Sequence, residues 1–111
     1  MRWYGSKYGN KKTEVDGITF DSKKEAHRYE VLRFYEENGL ISGLEMQVKY
    51  ELIPSQRGEI RNERAVYYVA DFVYIQDGET IIEDVKGHRT ELYKLKRKLM
   101  KYIYGVEIRE T

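Results

Sequence analysis

The spacing of hydrophobic and polar positions predicts most of the elements. Between Thr13 and Phe20, Val15, Ile18 and Phe20 are set off by polar residues around Asp16-Gly17. Both centres of a tight two-residue hairpin need positive φ, which Asp-Gly supplies, so a short hairpin is predicted. The period then lengthens. Asp21-Ser22 opens a helix running to about Asn38, with Gly39 as its stop. Ala26, Tyr29, Leu32, Arg33 and Glu36 keep helical spacing, the apolar members facing inward. Leu44, Met46, Val48, Tyr50 and Leu52 alternate with Glu45, Gln47, Lys49 and Glu51, the mark of a half-buried strand that Pro54 ends. Residues 55–64 form a polar loop. Ala65 to Ile75 is apolar on both faces except at Asp71, as a central strand should be. Asp77-Gly78 turns the chain into a return strand, Glu79 to Lys86. Gly87 breaks it. Thr90 caps a second helix to about Tyr104, closed by Gly105, with Leu92, Leu95, Leu99, Tyr102 and Ile103 as its apolar stripe. Val106-Glu107-Ile108 reads as a last short strand. The order β-β-α-β-β-β-α-β predicts an α/β (α+β) domain, with one central mixed β-sheet flanked by helices.

Length and composition narrow this picture. The 111 residues suffice for one domain, taken as 13–111 behind a basic, aromatic arm at 1–12. A chain with no cysteine has no disulfide, thiolate zinc site or Cys nucleophile, and two His make a His-rich zinc site unexpected. The opening Met1-Arg2-Trp3-Tyr4-Gly5-Ser6-Lys7 lacks the apolar core of a secretory signal, and no stretch approaches a membrane span, so a cytoplasmic location with no membrane partner is expected. The net charge of +1 argues against a simple nucleic-acid-coating protein. The distribution argues otherwise: residues 1–13 carry +4, residues 14–85 carry −8, and residues 86–111 carry +5. Two basic ends around an acidic middle point to a polyanionic partner, or else to solvated faces.

The second hairpin concentrates the chemistry. With Asp77-Gly78 as a two-residue loop, Ile75 faces Thr80, Val73 faces Ile82, Asp71 faces Asp84 and Val69 faces Lys86. Alternation then sends Asp71, Asp84 and Lys86 to one side, the two carboxylates about 5 Å apart at Cβ. Like charges directly opposite one another destabilise a sheet, and one pKa should rise. A divalent cation would remove the conflict, and oxygen-only ligands suit Mg²⁺ or Mn²⁺. Lys86 could then orient or deprotonate a water, or balance a developing phosphate charge. The plainer alternative is a carboxylate pair neutralised by Lys86 and its neighbours. Glu25 also has two readings. Ser22-x-x-Glu25 is a capping box, its carboxylate turned back on the Ser22 amide; alternatively Glu25, sharing a face with Tyr29 and Leu32, projects toward the carboxylate pair.

The helix opening Ser22-Lys23-Lys24-Glu25-Ala26, the strand Ala70-Asp71-Phe72 and the segment Glu83-Asp84-Val85-Lys86-Gly87, in that order, resemble the PD-(D/E)XK nuclease superfamily. The chain most resembles small, mostly uncharacterised phage and prophage proteins of that superfamily. It is similar in layout to archaeal Holliday-junction resolvases and phage endonuclease I. Roughly residues 10–108 carry the likeness, with Ala70 where the motif has Pro. The resemblance implies a restriction-endonuclease-like fold and Mg²⁺- or Mn²⁺-dependent hydrolysis of a DNA phosphodiester. It implies that Asp71, Asp84 and the Val85 carbonyl bind the metal, that Lys86 positions or activates the attacking water, and that Glu25 completes the metal shell. Gln47, on the polar face of its strand, is within reach of the same cleft. Glu83 faces away by alternation unless a bulge exchanges it with Asp84.

The basic segments then acquire a role. Lys94, Arg97, Lys98 and Lys101 share the side of the second helix opposite its leucines, and with Arg89 they are placed to follow a DNA backbone. Lys7, Lys11 and Lys12 of the arm would do the same, and Lys96 lies nearer the cleft. The leading expectation is an endonuclease of a bacterial host, phage- or prophage-encoded, with branched DNA such as Holliday junctions as a candidate substrate and a homodimer as the acting form. The alternatives are a non-catalytic DNA-binding or assembly subunit on a nuclease fold, and a structural module whose carboxylates are merely paired.

Overall fold

A computed structural model describes residues 12–111. The expected arm, with Lys7 and Lys11, lies outside them apart from Lys12. The elements are β1 (Thr13–Val15), β2 (Ile18–Phe20), α1 (Lys23–Glu37), β3 (Ser42–Ile53), β4 (Val66–Gln76), β5 (Glu79–Asp84), α2 (Glu91–Tyr104) and β6 (Arg109–Glu110). The α+β class and the mixed sheet are as expected. β3, β4 and β5 run antiparallel, β6 joins β5 in parallel, and β4 is central. The first hairpin does not join this sheet; β1 and β2 form a two-stranded sheet of their own, turned at Asp16 and Gly17 with φ of 53° and 77°.

Two hydrophobic clusters fix the layers. Phe72 and Tyr74 pack with Ala26, Tyr29 and Leu32 of α1, whereas Val73, between them, packs with Tyr93 and Met100 of α2. Successive strand side chains alternate, so α1 and α2 cover opposite faces of β4 here. The alternation slips at one rung. Ala70 and Tyr68 belong to the α2 cluster although Phe72 belongs to that of α1; likewise Leu44 and Met46 of β3 pack on the α1 side, and Val48 and Tyr50 on the α2 side. Both strands exchange their buried faces around Gln47 and Asp71. Gln47 has φ of 55°, left-handed backbone in mid-strand, and the ladder passes from Met46–Phe72 to Val48–Ala70 with no rung between.

Several expectations are corrected. Val69 does not face Lys86. It pairs with Lys49, while the Lys86 N–H donates to the Thr111 carbonyl at 2.9 Å. β5 leaves β4 after Glu83 because the next amides find other partners: Val85 N–H donates to Asp71 Oδ2 at 2.8 Å, and Lys86 turns to Thr111. The last strand lies at Arg109–Glu110 instead of 106–108, since Val106 and Ile108 pack against the α2 cluster and the ladder forms beyond them. The second helix is rotated from the expected stripe. Leu92, Leu95 and Tyr102 are 59%, 54% and 88% exposed, and the buried positions are Tyr93 and Met100. Tyr93 and Met100 take the sheet-facing positions, about one residue, roughly 100°, round the helix from Leu92 and Leu99. The loop at 55–64 is pinned across its base by reciprocal backbone bonds of 2.9 and 2.8 Å between Gln56 and Glu63.

Candidate active site

A cleft of about 860 Å³ opens where the start of α1 meets the middle of β4 and the end of β5. Glu25, Asp71, Asp84, Val85 and Lys86 all line it, so α1, β4 and β5 with the residues just after it bring together the residues singled out in the sequence.

Each is placed by local structure. Ser22 caps α1, its Oγ accepting the Glu25 N–H at 3.1 Å. The carboxylate of Glu25 does not complete a capping box; it is buried and accepts a hydrogen bond from Gln47 Nε2 at 3.0 Å. The same Gln47 nitrogen stands 3.5 Å from Asp71 Oδ1. Gln47 therefore reaches the cleft, and its left-handed backbone carries the side chain there. Asp84 takes a hydrogen bond from Tyr68 Oη at 2.7 Å on Oδ2 and an ion pair from Lys86 Nζ at 3.3 Å on Oδ1. Lys24 Nζ donates to the Lys86 carbonyl at 2.6 Å.

Glu83 lies on the other side of β5 from Asp84, as alternation predicts. It is fully buried on the α1 side, where Arg28 grips it with two bonds of 2.6 and 3.0 Å, and where Tyr74 Oη and Thr111 Oγ1 donate at 2.6 and 3.1 Å. Burial works to raise its pKa, and the Arg28 and Tyr74 hydrogen bonds overcome that and hold it below the usual carboxylate range.

The cleft acids behave oppositely. Burial, reinforced by the adjacent Asp84 and Glu25 carboxylates, pushes Asp71 up to about 8 against the opposing Val85 amide. Glu25 is also raised, by burial first and then by the charges of Asp21 and Asp84, with Gln47 opposing. These carboxylates are crowded and short of positive charge, the situation that a cation relieves. Among the described residues no three His, Asp or Glu side chains already stand close enough to cage a metal ion. Mg²⁺ needs no such cage; one or two carboxylates with retained waters suffice, and an all-oxygen set of Asp71, Asp84 and Glu25 fits that preference.

The cations divide into two groups. Arg89 and Arg97 both pair with Glu110, at 2.6 and 2.9 Å, and hold it, with Tyr93, down to about 2. Lys94 pairs with Glu91 at 3.1 Å, Lys101 with Glu107 at 3.4 Å and Lys12 with Asp21 at 3.0 Å, all at the surface. Lys96 and Lys98 make no ion pair among the described residues, and Lys98 is exposed.

Sequence reasoning missed Tyr68 and Tyr93. Regular alternation puts Tyr68, three residues before Asp71, on the opposite face; only the face exchange at Gln47–Asp71 brings it to Asp84. Tyr93 lies off the leucine stripe and carries no sequence signal for its burial.

Residues 5–111 match the family described as "Protein of unknown function (DUF1064)", and the chain belongs to that family. No curated protein and no solved structure matches it. No helix among the described residues is long and apolar enough to cross a membrane.

Proposed function

We propose that this protein is a metal-dependent DNA endonuclease of the PD-(D/E)XK type. One observation carries the reading: Glu25, Asp71, Asp84 and Lys86 line one cleft, with Asp71 pushed up to about 8 by burial and by its acidic neighbours. Asp71 and Asp84 would hold Mg²⁺ or Mn²⁺, with Glu25 and the Val85 carbonyl supporting them. The metal, when bound, supplies Lewis-acid charge at a scissile phosphate. Tyr68 orients Asp84, and the Val85 amide fixes Asp71, so both carboxylates are aimed before any ligand arrives. Lys86 is paired with Asp84 in the cleft, and it can hold a water against the phosphorus or balance charge as the bond breaks.

DNA is held by the unpaired or weakly paired lysines of α2. Branched DNA, a pair of chains acting together and a cytoplasmic setting belong to the same proposal. A second reading, a DNA-binding or assembly subunit without catalysis, is favoured by the spread of Glu25, Asp71 and Asp84, which share the cleft without standing close enough to cage a metal ion. The test is a panel of four-way, flap, nicked and linear DNAs with Mg²⁺ or Mn²⁺, comparing the native chain with Asp84→Ala. Cleavage by the native chain alone, with DNA binding kept in the variant, is expected. Equal cleavage by both overturns the site; binding without cleavage by either selects the second reading.

A further inference from the structure

The attacking-water role proposed for Lys86 requires its ammonium to stay in place whatever the state of the carboxylates. Two groups hold that ammonium: Asp84 Oδ1 at 3.3 Å, and the face of the Tyr93 ring, whose centroid lies 3.9 Å from Nζ. We propose that Tyr93 is the positioning residue for Lys86, a fixed aromatic platform that keeps the ammonium in the cleft after Asp84 has turned to another cation.

The ring is anchored at both ends. Its backbone N–H donates to Thr90 Oγ1 at 3.0 Å, which places Tyr93 in the first turn of α2. Its hydroxyl donates to Glu110 Oε2 at 2.6 Å, and Arg89 and Arg97 lock Glu110 in turn. Tyr93 is 7% exposed, so its face is largely dry, where the attraction between a cation and a π-system is strongest. The Lys86 backbone is fixed as well, by Thr111 on its N–H and Lys24 on its carbonyl. Only the side chain remains to be aimed.

The two tethers differ in kind. The Asp84 carboxylate is itself a proposed ligand, and engaging a divalent ion would draw off its negative charge and weaken its hold on the ammonium. A phenol ring offers a hard cation nothing that competes with carboxylate and water oxygens. It therefore keeps its hold on Lys86 when Asp84 is engaged. Asp84 tethers Lys86 in the metal-free protein, and Tyr93 tethers it in both states.

The catalytic part of this rests on the nuclease reading; the contact does not, and the experiment separates them. Proton–carbon NMR of the full chain with ¹³C-labelled lysine, Lys86 assigned through Lys86→Arg, reads the ring-current shift of its ε-CH₂ with and without Mg²⁺. An upfield shift relative to the other lysines is expected in the native chain and in Tyr93→Phe, persisting with Mg²⁺, and lost in Tyr93→Leu. In cleavage assays Tyr93→Phe should stay within about threefold of native, while Tyr93→Leu should lose kcat by tenfold or more with KM for DNA unchanged. An ordinary Lys86 shift in the native chain overturns the contact without recourse to any variant. A shift lost in Tyr93→Leu with undiminished kcat overturns the positioning role. A native chain that shows the shift but cuts no DNA leaves the contact standing and removes the nuclease reading instead.

Discussion

Gln47 stands opposite Asp71 in the register of β3 and β4, yet no ladder rung joins them; instead the Gln47 side-chain nitrogen bridges toward Asp71 and Glu25. Left-handed backbone at a residue with a Cβ costs about 1–2 kcal/mol, and it persists here at the point where the two strands exchange faces. Gln47→Gly should therefore be more stable than Gln47→Ala by about 1 kcal/mol, because both lose the amide and only glycine is relieved of the strain. Urea unfolding of the two variants measures this, and equal midpoints would contradict a left-handed residue 47.

Asp71 makes the metal-free protein pH-sensitive. Its carboxyl is raised to about 8 in the fold, above the ordinary value of 3.8, so between those values the folded state binds the extra proton. Stability from this group is fully present below about pH 4 and is lost as pH rises through 8. Thermal melts of the native chain should show a decline over that window that Asp71→Asn lacks. If Asp71 is a ligand, Mg²⁺ should flatten the decline and stabilise more at pH 8 than at pH 6, because binding must displace the proton.

Glu83 and Arg28 form a buried pair whose role is structural. Glu83→Ala leaves Arg28 and Tyr74 without their acceptor, and a loss of roughly 3–5 kcal/mol is expected in chemical denaturation. Metal-dependent stabilisation should survive in whatever fraction remains folded, which separates this acid from its neighbour Asp84. A loss under 1 kcal/mol would mean that the network is dispensable.

The basic residues should not contribute equally to DNA binding. Exposed pairs such as Lys94–Glu91 and Lys101–Glu107 are worth about 0–1 kcal/mol and exchange readily for phosphate. Lys98 has no ion pair to give up among the described residues. Lys98→Ala should weaken binding across all sequences and reduce the salt slope by about 1. Arg89 and Arg97 are committed to Glu110, so their replacement should lower stability more than it changes the slope. A Lys98 variant with an unchanged slope would remove α2 from the interface.

Much of the molecule was legible in the sequence because it depends on local chemistry. Asp16-Gly17 and Asp77-Gly78 need only their own backbones to turn, and Ser22 and Thr90 need only the helices that they cap. The pairing of Val73 with Ile82 and Ile75 with Thr80 followed from the turn at Asp77, and so did the convergence of Asp71, Asp84 and Lys86 on one cleft. What depended on distant partners was not legible. α2 faces the sheet with Tyr93 and Met100 in place of Leu92 and Leu95, and Glu110, far along the chain, takes the phenol. Lys86 left the side of Val69 because Thr111 and Asp71 compete for the amides of its strand. Tyr68 entered the site through a face exchange that alternation forbids in a regular strand, whereas Gln47 is expected there from its polar face. The sequence by itself determined the elements, their turns and the acid–lysine constellation; tertiary structure decided which side chains aim that constellation, since hydrogen bonds between residues far apart in the chain have no period to be read.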